Sequence, residues 1–173
     1  MEEILFNQFE KGVISQKEAI DSLLPHRGDM SFLNRVSYFE DKEIALGEIL
    51  IEDGAFWVPG HFPIPEKKGN NKIEIGPIFP GVLMVESAAQ LGICFWRFKN
   101  GIDETNEKIM VLKQVDSVKY HRDVRPGDVL YIQSEMEKAS TRMMRCRFYG
   151  EVLKKETKQL EKCFECNIVG LAV

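Results

Sequence analysis

The chain has 173 residues, of which 44% are hydrophobic and 29% charged, with a formal net charge of −4. This length and composition are typical of a soluble globular protein with one substantial core, and the weak negative charge argues against nucleic acid or an anionic membrane as a partner. No apolar run reaches the length of a membrane span, and the acidic start lacks the basic and apolar regions of a signal peptide, so we expect a cytoplasmic protein.

The N-terminal segment, residues 1–24, carries two short helical patterns. Ser15 and Glu18 have the spacing of a capping box for the second helix. We expect this helix to end at Leu24, because Pro25 forces the residue before it into an extended conformation. The sequence thus predicts a small helical segment ahead of the main fold.

Strand patterns dominate much of the remaining chain. A first strand is predicted around residues 32–38, and a second at 43–51 has apolar residues on both faces, which is typical of a central, doubly covered strand. A polar loop follows the main helix at residues 100–107. Four more strands are predicted at 109–120, 128–138, 142–153 and 162–173.

The longest helical pattern runs from Val82 to Trp96 and is apolar in nearly every direction, as in a buried helix. Its polar side chains are Glu86, Ser87 and Gln90. Glu86 and Gln90 share one face because they are four residues apart, and a buried carboxylate is costly unless it is paired. Glu86 is therefore either a core carboxylate bonded to Gln90 or a backbone donor, or a catalytic carboxylate with a pKa tuned by burial.

A histidine upstream favours the catalytic alternative. His61 follows Gly60 and precedes Phe62 and Pro63, a sequence that suits a rigid turn better than a helix or a strand. Such a turn presents an imidazole in a fixed position, and a neutral imidazole is a suitable base near physiological pH.

These patterns predict an α+β domain in which one long buried helix is preceded by two or three strands and followed by four. We expect an antiparallel sheet to wrap around this central helix. No repeat, low-complexity tract or linker divides the sequence, so residues 1–173 are interpreted as a single domain.

The cysteines are Cys94, Cys146, Cys163 and Cys166, and they fit reduced thiols in the cytoplasm. The last two have the spacing of half a zinc site, but no second pair of Cys or His accompanies them in the sequence. Residues three apart in a strand point to opposite faces, so we interpret both as structural and expect no metal site.

Four motifs in order carry a resemblance to a known family. The sequence has LLPHR at residues 23–27, leading into FLNRV at 32–36, then GHFP at 60–63, PGVLMVESAAQ at 80–90 and VRPGD at 124–128. Together they resemble the 3-hydroxyacyl-(acyl-carrier-protein) dehydratases of fatty-acid synthesis, and the matches cover most of the chain.

This resemblance implies a hotdog fold, in which the antiparallel sheet wraps around the long helix. It implies a cofactor-free lyase that removes water from (3R)-3-hydroxyacyl-acyl-carrier-protein thioesters to give trans-2-enoyl thioesters. The implied active unit is a homodimer, or a trimer of such dimers, in which the histidine of one protomer meets the glutamate on the other's helix. Glutamate at position 86 resembles the branch of the family that only dehydrates. The branch that also isomerises the double bond has aspartate at this position.

The resemblance also implies roles for single residues. His61 matches the base, and Glu86 matches a carboxyl group that we expect to have a raised pKa and to serve the departing hydroxyl as an acid. From the helix pattern itself, the backbone N–H groups at Gly81 and Val82 are expected to stabilise charge on the thioester oxygen, and Gln90 is expected to orient the carboxyl group or a water. His26, in the first motif, is interpreted as structural or as part of the rim of the site. The substrate-binding set comprises Phe62, Pro80, Gly81, Val82 and Gln90.

The segment 64–78 departs from the family, which joins the two motifs by a link about ten residues shorter. It is a lid, a carrier-docking element or an inert surface loop beside the active site. Docking of an acidic carrier protein would use basic side chains that are otherwise plain solvated surface. The candidates are Lys67, Lys68, Lys72, Arg97, Lys99, Lys119, Arg122 and Arg125, with His121 beside them.

Two other functions stay open at this point. A hotdog thioesterase would use Glu86 to activate water for hydrolysis, but it does not need the histidine of the GHFP motif. A non-catalytic acyl-binding or partner subunit would not need both His61 and Glu86, although the insertion at 64–78 keeps this alternative in play.

Overall fold

The computed structural model describes residues 13–15, 17–62 and 75–173. Its helices are α1 (Lys17–Leu23), α2 (Gly81–Asn100) and α3 (Ile102–Thr105). Its strands are β1 (Val13–Ser15), β2 (Arg35–Phe39), β3 (Ile44–Leu50), β4 (Met110–Tyr120), β5 (Val129–Ser140), β6 (Met143–Leu153) and β7 (Leu160–Ala172).

The strands of the described residues form one seven-stranded antiparallel sheet in the order β1-β2-β3-β5-β6-β7-β4. Three strands precede α2 and four follow it, which confirms the predicted α+β arrangement. Along β6 every second residue from Met144 to Val152 is buried, because alternate side chains of a strand face opposite sides of the sheet.

The N-terminal segment differs in part from its prediction. Its second helix is present as α1, and the N–H of Leu24 still donates to the Ile20 carbonyl at 3.1 Å before Pro25 ends the helix. Residues 13–15, however, are extended and pair with β2, from Val13 opposite Tyr38 onward. The rest of the first helical pattern falls on residues 1–12, and the predicted capping box from Ser15 to Glu18 includes Gln16; residues 1–12 and Gln16 lie outside the described residues.

Helix α2 packs closely against the sheet where glycines remove side chains from the contact. At Gly92 an added Cβ would lie 3.0 Å from Met144 Cε and 3.1 Å from Phe148 Cζ on β6. On the opposite flank, a Cβ at Gly47 of β3 would lie 3.1 Å from Leu33 and 3.3 Å from Leu91. These approaches are tighter than most Cβ contacts, so the helix sits lower on the sheet than larger residues would allow.

Strand β3 is covered on both faces, as its apolar pattern predicts. Ala45 and Ile49 belong to the main core, while Leu46 packs on the other side of the sheet with Phe39 and Tyr131. Leu50 at the end of the strand is 47% exposed, so the side chains that cover both faces of β3 do not extend to its last residue.

Helix α2 is longer than predicted but less uniformly buried. It continues to Asn100 and stops at Gly101, whose φ of +85° is a conformation that favours glycine. Residues 87–97 are all buried, whereas Val82 in the first turn is 74% exposed. No helix among the described residues is long and apolar enough to cross a membrane.

The cysteine pair on β7 does not occupy opposite faces, contrary to the prediction. The register between β6 and β7 shifts between Gly150 and Glu151, opposite Cys163. An irregularity of this kind breaks the alternation of a strand, and Cys163 and Cys166 both join the main core. Among the described residues, no group of three or more His, Cys, Asp or Glu side chains is arranged to share a metal ion.

Candidate active site

The N-terminus of α2 offers backbone donors. The N–H groups of Leu83 and Met84 donate to the Pro80 carbonyl at 2.9 and 3.2 Å. The preceding N–H groups, those of Gly81 and Val82, come too early in the helix to have an intrahelical acceptor. Together with the positive end of the helix dipole they can donate to an anionic oxygen, and the predicted oxyanion role of Gly81 and Val82 stays a prediction.

The ring of Tyr120 lies directly against this helix start. A Cβ built on Gly81 would come within 2.7 Å of Tyr120 Cζ and 3.0 Å of its hydroxyl oxygen. Only glycine fits this contact without displacing the ring, so the Pro-Gly pair and the end of β4 are matched in shape. Sequence reasoning did not single out Tyr120, which appeared only as one residue of a predicted strand.

His61 is presented by a turn, as predicted. The N–H groups of Gly60 and His61 both donate to the Trp57 carbonyl, at 3.1 and 2.9 Å. The Nδ1 atom of His61 lies 2.7 Å from the Ile78 carbonyl oxygen. Since a carbonyl can only accept, the proton of the neutral ring belongs on Nδ1, and Nε2 is left as the basic nitrogen.

The next residue, Phe62, adopts a left-handed backbone with φ of +57°. Non-glycine residues seldom occupy this region unless the surroundings enforce it. Its ring lies 4.7 Å from the His61 ring in an edge-to-face arrangement and is half-exposed. Phe62 therefore forms one wall beside the imidazole, and its place in the substrate-binding set stays a prediction.

An aromatic cluster joins the segments that build the site. Phe79 is buried and makes edge-to-face contacts with Trp57 at 5.4 Å and Phe32 at 6.1 Å between ring centroids. Its backbone N–H donates to the Val124 carbonyl at 2.7 Å. Phe79 thus joins residues of two sequence motifs, Phe32 and Val124, to Trp57 in the segment that leads into the GHFP motif.

Glu86 is partnered within its own protomer. Its Oε1 atom lies 3.2 Å from His26 Nε2 and accepts a hydrogen bond from Gln90 Nε2 at 2.9 Å. The hydrogen bond from His26 holds the pKa of Glu86 below its ordinary value, against the opposing effect of partial burial. The prediction of a raised pKa is therefore wrong, because desolvation of this carboxyl group is outweighed by its donors.

Both the nitrogen and the oxygen of the Gln90 side-chain amide form hydrogen bonds. Besides Glu86, its Nε2 donates to the Met30 carbonyl at 2.8 Å, and its Oε1 accepts from the Phe32 N–H at 3.1 Å. The side chain is fully buried. Gln90 therefore orients the carboxyl group, as predicted, and at the same time fixes the chain that follows His26.

Within one protomer, no hydrogen bond or ion pair among the described residues joins His61 to Glu86. The structure places the two side chains on separate networks, the first with Ile78 and the second with His26 and Gln90. Beside the helix start lies a cavity of about 400 Å³ lined by Ile78, Phe79, Gly81, Met84, Tyr120 and residues 121–123.

The candidate docking cations have partners inside the chain. Arg97 is only 8% exposed and donates to the Lys108 carbonyl, so its assignment to a docking surface is wrong. The others among the described residues pair with carboxylates: Lys99 with Glu43, Lys119 with Glu165, Arg122 with Glu161 and Arg125 with Asp123. Lys67, Lys68 and Lys72, like most of the 64–78 insertion, lie outside the described residues.

The lowered pKa of Glu86 predicts how stability depends on pH. A carboxyl group whose pKa is lower in the folded state stabilises the fold above its unfolded pKa, and this contribution disappears as pH falls through the folded pKa. The ordinary value is 4.5. We therefore expect the difference in unfolding free energy between wild type and Glu86→Gln to shrink once the pH falls below that value, measured by urea titration at about pH 6 and about pH 4. A difference independent of pH across this range would contradict the assignment.

Comparisons with known proteins show the family. A model of the FabA-like domain matches residues 24–161. A 3-hydroxyacyl-[acyl-carrier-protein] dehydratase FabZ from Natranaerobius thermophilus is 33% identical over 117 residues, covering 68% of this chain and 72% of that protein. A FabZ from Moorella thermoacetica is 30% identical over 145 residues, covering 82% and 92%.

Solved structures show the same fold at lower identity. The dehydratase heterocomplex ApeI:P from Xenorhabdus doucetiae has a TM-score of 0.58 at 17% identity, covering 86% of this chain and 88% of that one. A thioesterase superfamily member from Thermus thermophilus has a TM-score of 0.51 at 11% identity, covering 75% and 80%. The fold is the hotdog fold, and the chain belongs to the FabA-like family, among its 3-hydroxyacyl-(acyl-carrier-protein) dehydratases.

Proposed function

We propose that the chain removes water from (3R)-3-hydroxyacyl-acyl-carrier-protein thioesters to give trans-2-enoyl thioesters in fatty-acid biosynthesis. The observation that carries the proposal is the hydrogen bond from His61 Nδ1 to the Ile78 carbonyl, which leaves Nε2 as a base. The names of the FabZ relatives, each a 3-hydroxyacyl-[acyl-carrier-protein] dehydratase, support the reaction class.

In the proposed reaction, Nε2 of His61 takes the proton from the carbon next to the thioester carbonyl. The electron pair moves toward the thioester oxygen, where the N–H groups of Gly81 and Val82 are placed to donate to it. The bond from the next carbon to its hydroxyl oxygen then breaks as the double bond forms. His61 returns its proton to the departing hydroxide, so that water leaves and the imidazole is regenerated.

Glu86 takes part as an ionised carboxylate rather than as the acid expected from the sequence. Its lowered pKa keeps it charged at neutral pH. In that form it accepts a hydrogen bond from the substrate hydroxyl, and its charge stabilises the imidazolium of His61 while that ring carries two protons. This role needs the two side chains to face each other across a substrate.

The separation of His61 and Glu86 in one protomer supports a homodimer as the active unit. Apolar side chains near the helix start are exposed in the single chain, with Val82 at 74% and Tyr120 at 51%. Strand β4 lies at the edge of the sheet and exposes Leu112 and Val118 as well. Unpaired edges with apolar side chains are covered in stable proteins, and a second copy meeting β4 would cover both features.

An acyl carrier protein is the proposed source of the substrate. Arg122 lines the cavity beside the helix start, and Lys119 lies on the adjoining end of β4. Both form ion pairs that are exposed to solvent, which contribute little to stability and can exchange for a partner's anionic groups. These two cations are the proposed contacts for the phosphate of the carrier's arm or for acidic residues around it.

A hydration assay tests the proposed function. Purified protein is mixed with crotonyl thioester, on carrier protein or on coenzyme A, and the conjugated enoyl absorbance is followed together with free thiol. We expect the absorbance to fall without thiol release, since the dehydration is reversible. Thiol release would instead establish a thioesterase, and no reaction at several acyl lengths would favour a binding subunit.

A further inference from the structure

We propose that His26 is a positioning residue that orients the carboxylate of Glu86 for the substrate by donating a hydrogen bond from Nε2 to Oε1. This inference rests on the proposed function for the catalytic role of Glu86. The two atoms are 3.2 Å apart, and both side chains are about three-quarters buried. His26 therefore acts on the reaction through Glu86 and does not itself contact the reacting atoms.

The donors to Glu86 are arranged on one side of the carboxylate. His26 and Gln90 both contact Oε1. The second oxygen, Oε2, has no hydrogen-bond partner among the described residues. A carboxylate held in this way cannot rotate freely, because rotation would break the hydrogen bond from Gln90 and the close contact with His26 at once. It presents Oε2, and only Oε2, for a hydrogen bond with a substrate hydroxyl.

The surroundings of the His26 imidazole determine which of its ring nitrogens carries the proton. Its Nδ1 atom is buried and has no hydrogen-bond partner in the described part of the chain. A proton on Nδ1 would be a buried donor without an acceptor. An unprotonated nitrogen at this position costs less free energy. The ring proton of neutral His26 therefore belongs on Nε2, the atom that faces Glu86.

The backbone on both sides of His26 is fixed. Before it, Leu24 is buried in the core, and the Arg27 guanidinium donates to the carbonyls of Leu24 and His26, each at 2.6 Å. After it, the amide of Gln90 binds the backbone of Met30 and Phe32. The loop is thus attached to α2 by the same glutamine that shares Oε1 with His26. This shared anchoring sets the distance between the imidazole and the carboxylate.

Two substitutions separate the hydrogen bond from the bulk of the ring. His26→Gln keeps an N–H donor near the position of Nε2, whereas His26→Leu keeps similar volume without any donor. We expect His26→Leu to lower kcat about 100-fold with little change in KM, because the carboxylate loses its orientation but the acyl site is intact. We expect His26→Gln to restore most of the lost kcat. Ser22→Ala, on the exposed side of α1, serves as the control in the same segment.

The carboxyl group of Glu86 can be observed directly. Protein with ¹³C-labelled glutamate side chains is titrated by NMR, and the Glu86 signal is assigned by its absence in Glu86→Gln. In wild type we expect its pKa to lie below the ordinary 4.5. In His26→Leu the pKa should rise, and in His26→Gln it should stay low. The proposal would be overturned if the pKa of Glu86 were equal in wild type and His26→Leu. It would also be overturned if His26→Gln lost as much kcat as His26→Leu.

The titration also separates this inference from the proposed function. It detects the contact between His26 and Glu86 whether or not the protein turns over a thioester. Suppose that the wild-type protein is inactive but the pKa of Glu86 rises in His26→Leu as expected. The proposed dehydratase function would then be overturned, and the contact between His26 and Glu86 would be established. An active wild type with unaffected His26→Leu kcat would overturn the positioning role alone. Unfolding midpoints and native mass of each variant exclude loss of fold or dimer as the cause.

Discussion

Replacing His61 with alanine is expected to lower kcat for hydration of an enoyl thioester by about 1,000-fold, since the reaction loses its base and its proton donor in one step. The measurement is the initial rate at saturating thioester, with KM determined in parallel. KM should change little, because the acyl chain and the oxyanion donors at Gly81 and Val82 are untouched. The large loss should therefore appear in kcat.

The matched control for this experiment is His61→Asn. Its side-chain amide can still donate to the Ile78 carbonyl, as Nδ1 does now at 2.7 Å, but it has no basic nitrogen at the position of Nε2. If His61 is the base, asparagine should be as inactive as alanine although the turn is preserved. Recovery of most of the activity in His61→Asn would show that the histidine only supports the turn, and the proposed reaction would need a different base.

The second large effect is expected from combining two inactive variants in one dimer. His61→Ala and Glu86→Gln homodimers should each retain only trace activity. When the two chains are co-expressed with different tags and the heterodimer is purified, one of its two sites has both residues intact. We therefore expect about half of the wild-type activity per dimer, because a two-fold interface builds each site from one residue of either chain.

This result distinguishes two arrangements of the site. If His61 and Glu86 of the same chain acted together, neither site of the heterodimer would be complete and the activity would stay at the trace level. That outcome would contradict the proposal that the active unit is built across the dimer. A heterodimer of His61→Ala with a second, differently tagged His61→Ala chain controls for effects of tagging and purification.

Much of the fold could be predicted from the sequence because its signals are local. The apolar repeat of α2, the alternation along β6 and the Pro-Gly pair at residues 80–81 each depend on neighbouring residues, and the structure confirms them. The turn that presents His61 is likewise encoded by adjacent residues. The resemblance then supplied the hotdog arrangement that local patterns alone do not determine.

The errors in prediction concern contacts between segments distant in the chain. The pKa of Glu86 depends on His26, which the sequence places in another motif, and no pattern within α2 indicates that hydrogen bond. Cys163 joins the core because the register to β6 shifts, which depends on a partner strand. Arg97 is buried by its contact with the Lys108 carbonyl beyond the helix end. Such pairwise contacts become visible only in three dimensions.

The burial of the cysteines on β6, β7 and α2 has a consequence for chemical labelling. Desolvation raises the pKa of Cys94, Cys146, Cys163 and Cys166 to about 12 in each case. At neutral pH these thiols carry almost no thiolate, which is the form that reacts with maleimides and disulfide reagents. A single cysteine introduced on the surface can therefore receive a fluorophore selectively, in a protein whose native thiols need not be removed.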